Sequence, residues 1–192
     1  MSPITHFLSG WVIANCAKLD RRDRSLVTLA CVIPDIDGIG IIPELLTRNS
    51  AHPLLWFTHY HHSLHSLVFA VVVAVVAFVL ASKKWETAAL SLLTFHVHLL
   101  EDVLGSRGPD GYQWPIAYLK PFSSTLQLTL PGQWGLNSWP NIAVTVALLC
   151  ITLALGWRRG FSPLEMISMR ADSAFIAALR KRFPRQSTSN AE

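Results

Sequence analysis

Long apolar stretches alternate with short polar runs along most of the chain. Residues 66–82 carry no charge and are followed at once by Lys83 and Lys84. Residues 142–157 are also free of charge and end at Arg158 and Arg159. A membrane span needs about 20 apolar residues, with a lower limit of about 17. The pattern predicts transmembrane helices in both stretches, and residues 66–82 give the stronger signal.

Three further apolar segments complete the pattern. Residues 87–104 are apolar but contain two histidines and two carboxylates, which are costly inside a membrane and indicate a functional site. Residues 4–17 and 25–34 are shorter and give weaker signals. At about 1.5 Å of rise per residue, a helix over residues 25–34 is too short to cross. We therefore expect these two segments to be shielded by longer helices or to lie partly at the interface.

The composition agrees with a membrane protein. Apolar residues make up 51% of the chain and charged residues 15%, against about 25% charged in soluble domains. This excludes a disordered chain and argues against an ordinary soluble protein. The three cysteines lie singly in apolar segments and predict no disulfide. We predict an all-α integral membrane bundle of about four to five helices over residues 1–160, with no cleaved signal peptide.

The basic residues predict an orientation. When the five segments alternate across a bilayer, all but Arg48, Arg107 and Lys120 of the 16 Lys and Arg fall on one side. The positive-inside rule makes that side cytoplasmic. All eight histidines then lie toward the outer side of what we expect to be the inner membrane. The excess of basic residues is thus explained by contact with membrane lipid, and we expect no nucleic acid partner.

The tail forms a separate unit in this interpretation. Ser162, Pro163 and Glu165 match a capping box with proline at the first helical position. Apolar residues then recur at helical spacing opposite several arginines and lysines. Residues 161–185 are predicted to form a basic amphipathic helix, which either lies on the anionic leaflet or packs on the bundle. Residues 186–192 are predicted to be disordered.

Four polar clusters carry the candidate chemistry. In chain order they are Thr5-His6, Asp35-Ile36-Asp37, the run from His59 to His65, and the run from His96 to Asp102. His61 and His65 are four residues apart, as are His98 and Asp102, so each pair shares one helix face; His62 and His65 nearly do. Imidazole with carboxylate favours a divalent metal, with zinc first and manganese or iron as alternatives.

These motifs in this order resemble the YdjM-like membrane-bound metal-dependent hydrolases. The similarity rests on Thr5-His6, PDID at 34–37, HHSLHSL at 61–67 and HLLED at 98–102, and extends to the loop at 111–123. It covers about residues 1–160. That family is regarded as distantly similar to zinc-dependent phospholipase C, an all-α fold with a metal cluster lined by His and Asp.

The resemblance implies a set of metal ligands. They are His6, Asp35, His65, His98 and Asp102, followed by Asp37 and His61. The family's usual histidine spacing is wider and would fall on Tyr60 here, so the partner of His65 is either His61 or His62. The later His-x-x-x-Glu pair of the phospholipase has no evident match after Asp102 in this chain. One or two ions are therefore expected rather than three.

The expected function is metal-dependent hydrolysis of a phosphoester or ester in a lipid or amphiphile. Asp35 or Asp37 would ligate, bridge or act as general base, and Arg107 could pair with a phosphate. Glu101 is expected outside the ligands. The aromatic loop 105–141 suits an interfacial belt or a lid. A di-iron oxidase is disfavoured by the few histidine motifs; a non-catalytic metal-binding or partner-binding scaffold is the alternative.

Overall fold

The computed structural model describes residues 1–108 and 111–184. The described chain is mostly helical. Its elements are α1 (Pro3–Ala14), α2 (Arg21–Ala30), a 3₁₀ segment (Ile33–Gly40), α3 (Ile41–Thr47), α4 (Trp56–Tyr60), α5 (Leu67–Leu80), α6 (Lys84–Gly105), β1 (Ile116–Ala117), β2 (Gln127–Leu128), α7 (Trp139–Arg159), a second 3₁₀ segment (Pro163–Met166) and α8 (Met169–Arg182). The all-α prediction is confirmed. Besides the helices of the bundle, the polar linker between α2 and α5 contributes the short helices α3 and α4.

Helices α6 and α7 are long and apolar enough to cross a membrane. Within the described residues, a third span exists only if α2 and the segment Ile33–Thr47 are counted together, and these are bent by 53°. Pro34 lies at this bend. Proline cannot donate a backbone hydrogen bond and disfavours helical geometry in the residue before it. Asp35 therefore follows directly on a break in the helix.

The segment with the strongest hydrophobic signal forms a helix of only 14 residues, α5. That corresponds to about 21 Å, less than the roughly 30 Å of a bilayer core. Ser66 caps its start, and at its other end the Asp23 carboxylate accepts hydrogen bonds from the amides of Ser82 and Lys83 at 2.9 and 2.8 Å. These polar contacts determine where α5 begins and ends, so the helix is shorter than the apolar stretch of the sequence. The exposed valines of α5 still suit a lipid environment.

The centre of the bundle is formed by α1, α2 and α6. Gly10 lets α1 approach α2 closely, since a Cβ there would lie 2.7 Å from the Cβ of Cys31 and 2.8 Å from the carbonyl oxygen of Thr28. Helix α5 packs on the opposite side of α6 through Ala70, against Phe95 and Leu99. Thr5 of α1 lies 2.7 Å from Thr145 of α7, between their hydroxyl oxygens. These contacts hold α1, which carries His6, against the last turns of α6.

The tail differs from the capping-box prediction. Ser162 caps only a four-residue 3₁₀ turn, and α8 begins at Met169 with Ser168 as its cap. Glu165 pairs instead with Arg24 of α2, through contacts of 2.8 and 2.9 Å. The expected single helix over 161–185 is therefore two segments, tied to α2 by a buried ion pair. Residues 185–192, which include the predicted disordered end, lie outside the described residues.

Candidate metal centre

Four separate segments bring histidines and aspartates together at one end of the bundle. Helix α1 supplies His6 and the 3₁₀ segment supplies Asp35. His65 lies immediately before α5, and His98 and Asp102 occupy one face of α6 near its C-terminal end. All five belong to the ligand set that the family resemblance implies.

His6, Asp35, His98 and Asp102 can each offer one ligand atom, and these four atoms lie within 4.8 Å of one another. The Nε2 atom of His98 is 3.1 Å from Oδ2 of Asp102, and Nε2 of His6 is 3.2 Å from Oδ1. Two donors bound tetrahedrally at about 2.1 Å from one ion lie about 3.4 Å apart. The spacing of these atoms therefore suits a shared cation.

His65 adds a third buried imidazole. Its Nε2 atom lies 3.1 Å from Nε2 of His98, 3.4 Å from Oδ2 of Asp102 and 3.6 Å from Oδ1 of Asp35. A direct bond between two imidazole nitrogens requires one to donate and the other to accept. A cation between them would instead use both lone pairs.

The far nitrogens of two of these rings are held by groups that accept a hydrogen bond. Nδ1 of His98 donates to the carbonyl oxygen of Cys31 at 2.8 Å, because a carbonyl can only accept. Nδ1 of His6 lies 2.6 Å from the Glu101 carboxylate, which the Ser9 hydroxyl also contacts. Such partners orient a metal-binding imidazole and leave Nε2 facing the ion. Nε2 of His6 is buried and has no hydrogen-bond partner among the described residues.

Glu101, which we expected outside the ligands, contacts Nδ1 of His6, whereas the contacts of Ser9 and of the Cys31 carbonyl were not predicted. Ser9 lies three residues after His6 and therefore on the same face of α1. That spacing is the feature of the sequence from which the role of Ser9 could have been predicted. No pattern in the sequence marks a backbone carbonyl such as that of Cys31, because its role depends on where α2 ends.

Asp37 and His61 lie outside the four-residue group. Nδ1 of His61 is 3.2 Å from Oδ1 of Asp37, and Oδ2 of Asp37 accepts a hydrogen bond of 3.2 Å from the amide of Leu64. This aspartate therefore holds the turn that precedes His65. A second group of possible ligands contains His62, His65 and Asp102. Of the two histidines that the spacing left open, His62 is the one that lies with His65 and Asp102.

The charges of the neighbouring histidines differ. Burial, with the positive fields of His65 and His61, lowers the pKa of His62 to about 3, so its imidazole is neutral at pH 7. Burial also lowers the pKa of His65, but hydrogen bonds to Asp102 and Asp35 outweigh it and raise this pKa to about 9. In the absence of a cation, the His65 imidazole is therefore protonated at pH 7 next to the two carboxylates. A cation at the centre would replace that proton.

A cavity of about 500 Å³ opens beside the centre. Asp35, His62 and Asp102 line its polar side, and Ile39, Phe57 and Trp114 are among its apolar lining. Of the aromatic residues expected in a lid or belt, Trp114 is the one that reaches this cavity, while Trp139 is exposed at the start of α7.

Arg107 does not reach the cavity. Its side chain is exposed, and its backbone pairs with the loop at Trp134 and Leu136. The described lining residues include no lysine or arginine. The expected phosphate partner is therefore absent from the cavity lining, because the Arg107 side chain is exposed to solvent although its neighbour Ser106 and its backbone partner Leu136 line the cavity.

His96 is a histidine of α6 that lies outside the candidate metal centre. It lies two residues before His98, but its ring bonds to the carbonyl of Leu92 at 2.7 Å and to the Tyr118 hydroxyl at 2.8 Å. His52 and His59 are exposed. The remaining five histidines gather at the centre and the adjoining turn.

One family comparison is informative. The model of the YdjM inner membrane proteins matches residues 1–170 of this chain. No curated protein and no solved structure is similar enough to count as a match. The match covers the helices that form the bundle and every residue of the candidate metal centre. The chain belongs to the YdjM family of inner membrane proteins.

Proposed function

We propose that this protein is a membrane-bound hydrolase that uses a divalent metal to cleave a phosphoester or ester in a lipid or amphiphile. The observation that carries the proposal is the convergence of three buried imidazoles with Asp35 and Asp102 beside a largely apolar cavity. Buried ionisable groups inside a membrane protein are costly unless they serve a site. Their spacing suits the ligands of a shared cation.

The donor set supports zinc first. Nitrogen from imidazole and oxygen from carboxylate are common zinc ligands, and the same set also binds manganese or iron. A bound ion of this kind supplies Lewis acidity, which polarises an ester or phosphoryl oxygen and lowers the pKa of a coordinated water to about 7. Because the described cavity lining has no lysine or arginine, the charge of a phosphoester must be balanced by the metal centre.

Asp35 is the best candidate for a general base. Its side chain is 19% exposed and lies 3.6–3.9 Å from the three imidazoles, whereas that of Asp102 is 5% exposed and lies 3.1–3.4 Å from them. Asp35 also lines the cavity, so a carboxylate oxygen can reach a water beside the substrate. Asp37 instead holds the turn before His65, because it accepts a hydrogen bond from the Leu64 amide.

The apolar surface around the cavity supports a lipid or amphiphile as substrate. Ile39, Ile42 and Phe57 line the cavity, and Leu46 on the same bent segment is 81% exposed. Exposed apolar patches of this kind mark contacts with membrane or apolar ligands. A substrate with an acyl chain can therefore approach the metal centre from the bilayer.

We also propose that the metal centre faces the outer side of the inner membrane. Lys83 donates to the Lys18 carbonyl at 2.6 Å, and Arg159 contacts Asn15 at 3.4 Å, so the basic residues gather at the end of the bundle away from the centre. The positive-inside rule makes that end cytoplasmic. The basic residues of α8 then face anionic lipid rather than nucleic acid.

Metal content and hydrolysis together test the proposal. Protein purified in detergent without chelators is expected to contain zinc or manganese, and to cleave bis(p-nitrophenyl) phosphate or a fluorogenic phospholipid. His98→Ala and Asp102→Asn should lose both the metal and the activity. His96→Ala, two residues away on the same helix but outside the centre, is the matched control and should keep both.

Two results would contradict the proposal in different ways. A wild-type protein that binds no metal after zinc or manganese is added back would remove the metal centre. A protein that binds metal through His98 and Asp102 but cleaves none of these substrates would support the alternative, a non-catalytic metal-binding or partner-binding scaffold in the membrane.

A further inference from the structure

We infer that the centre holds two cations, and that His62, His65 and Asp102 bind the second, with Asp102 bridging the pair. The first cation is the one assigned to His6, Asp35, His98 and Asp102. This inference rests on the metal centre of the proposed function and adds His62 as a ligand. Three independent observations carry it: the orientation of one carboxylate, the balance of charge and the backbone of His62.

The Asp102 carboxylate presents its two oxygens to different imidazoles. Oδ1 faces Nε2 of His6 at 3.2 Å, whereas Oδ2 faces Nε2 of His98 at 3.1 Å and Nε2 of His65 at 3.4 Å. Oδ2 therefore lies between His98, a ligand of the first ion, and His65, a ligand of the second, so Asp102 can bridge the two ions. Asp102 is also the residue shared by the two groups of possible ligands. The two sets of ligands thus meet at a single side chain.

The local charge favours more than one divalent ion. Four carboxylates lie in or next to the centre, namely Asp35, Asp37, Glu101 and Asp102, and at most 19% of any of these side chains is exposed. Their ion pairs in the described chain are with histidines and the amino group of Met1, with no lysine or arginine side chain among them. Buried charges require compensation. Two divalent cations would balance four carboxylates while the histidines remain neutral ligands.

The backbone of His62 is held in a costly conformation. Its φ is 70°, in the left-handed region that residues other than glycine rarely adopt. Strain of this kind persists where the surroundings impose it and is concentrated at functional sites. The turn brings the His62 ring to within 4.4 Å of the His65 ring, between centroids, and places it on the cavity wall. Nδ1 of His65 is buried and has no hydrogen-bond partner among the described residues, although Oδ2 of Asp37 lies 4.0 Å from it.

The two positions differ in access. His6 and His98, which serve the first ion, are fully buried, whereas His62 is only partly buried and lines the cavity. The second ion therefore lies on the substrate side. A chelator that enters the cavity should remove it before the first ion.

Manganese provides a test that does not depend on activity. The full-length protein in detergent is loaded with Mn²⁺ and freed of excess metal, and the metal per chain is measured by mass spectrometry. Electron paramagnetic resonance then reports whether two Mn²⁺ ions are magnetically coupled through a bridging carboxylate. We expect two ions per chain with a coupled spectrum. In His62→Gly we expect one ion per chain and the spectrum of an isolated Mn²⁺.

Glycine is the appropriate replacement because it adopts a φ of 70° without a steric cost, so the turn can be retained. His59→Ala is the matched control, since it removes an exposed histidine three residues earlier and should keep both ions. A wild-type protein with one ion, or a His62→Gly protein that keeps two coupled ions, would overturn the inference while leaving the proposed function intact. A wild-type protein that binds no Mn²⁺ or Zn²⁺ would overturn both.

Discussion

At the scale of single residues, the metal centre depends on groups that face away from the metal. The His98 ring is oriented by a backbone carbonyl, and the His6 ring by the carboxylate of Glu101 at 2.6 Å. The Ser9 hydroxyl contacts the second oxygen of Glu101. Of these two supports, the Glu101 carboxylate can be removed by substitution, whereas the carbonyl of Cys31 cannot. Glu101 therefore offers a direct measure of how far ligand orientation contributes to metal affinity.

We expect Glu101→Ala to weaken zinc binding by about 10- to 100-fold, the usual effect of removing the partner of a metal-binding histidine. Glu101→Gln should lose less, because its amide oxygen can still accept the hydrogen bond from Nδ1 of His6. Competition with a chromophoric chelator measures both affinities. Glu86→Ala, an exposed substitution on the same helix, is the control. Equal zinc affinity in wild type and Glu101→Ala would show that packing alone orients His6.

The sequence indicated most of these residues, but not how they are arranged. The four-residue spacing of His98 and Asp102 placed them on one face of a helix, and the structure has them there. The choice between His61 and His62 could not be made from periodicity, because the backbone turns at His62 with a φ of 70°. Helical periodicity predicts which side chains share a face only within one helix, and it does not apply across such a turn.

At the scale of elements, the ion pair between Arg24 and Glu165 joins the tail to α2. The guanidinium of Arg24 donates two hydrogen bonds to the Glu165 carboxylate, at 2.8 and 2.9 Å. It also lies 3.9 Å from the centre of the Phe161 ring. The sequence could not reveal this pair, because Glu165 equally suits the third position of a capping box and its partner is 141 residues away. The tail segment is therefore part of the folded bundle rather than an independent helix.

We expect Glu165→Gln to destabilise the protein by about 3–5 kcal/mol, since it leaves the buried Arg24 charge without its partner. Unfolding in detergent and limited proteolysis after residue 160 measure the effect, and the tail should become the first region to be cut. Metal content should be unchanged, because the pair lies at the opposite end of the bundle. Glu86→Gln, which removes an exposed carboxylate, is the control; equal stability of the two variants would contradict a structural role for the pair.

At the scale of the whole molecule, polar chemistry and basic charge occupy opposite ends of the same helices. The Asn141 side chain at the start of α7 donates to the carbonyl of Gly105 at 2.7 Å, so the end of α6 meets the start of α7 next to the metal centre. The apolar segments together with the positions of the basic residues predicted this end-to-end division, although hydropathy overestimated the length of α5. Hydropathy overestimates this length because the apolar residues continue past the end of the helix. The helix itself ends where the Asp23 carboxylate accepts hydrogen bonds from the amides of Ser82 and Lys83.

This division predicts the orientation of the protein in the membrane. Single cysteines can be placed at Ser124, in the loop between β1 and β2, and at Ser173, on the exposed face of α8. The background carries Cys16→Ser and Cys150→Ser, because both native cysteines are exposed, and keeps the buried Cys31. In intact cells a membrane-impermeant maleimide should label Ser124→Cys, since the end that carries the metal centre faces outward. Ser173→Cys should be labelled only after the membrane is permeabilised, because the positive-inside rule retains the basic tail in the cytoplasm.

The background without either introduced cysteine is the control and should stay unlabelled before and after permeabilisation. The reverse pattern, with Ser173→Cys labelled in intact cells, would place the metal centre on the cytoplasmic side and contradict the orientation. That result would leave the metal chemistry untouched, since the ligands come from contacts within the bundle. It would change the pool of substrates that can reach the cavity from lipids of the outer leaflet to those of the inner leaflet. Orientation and metal binding are therefore separable, and each needs its own measurement.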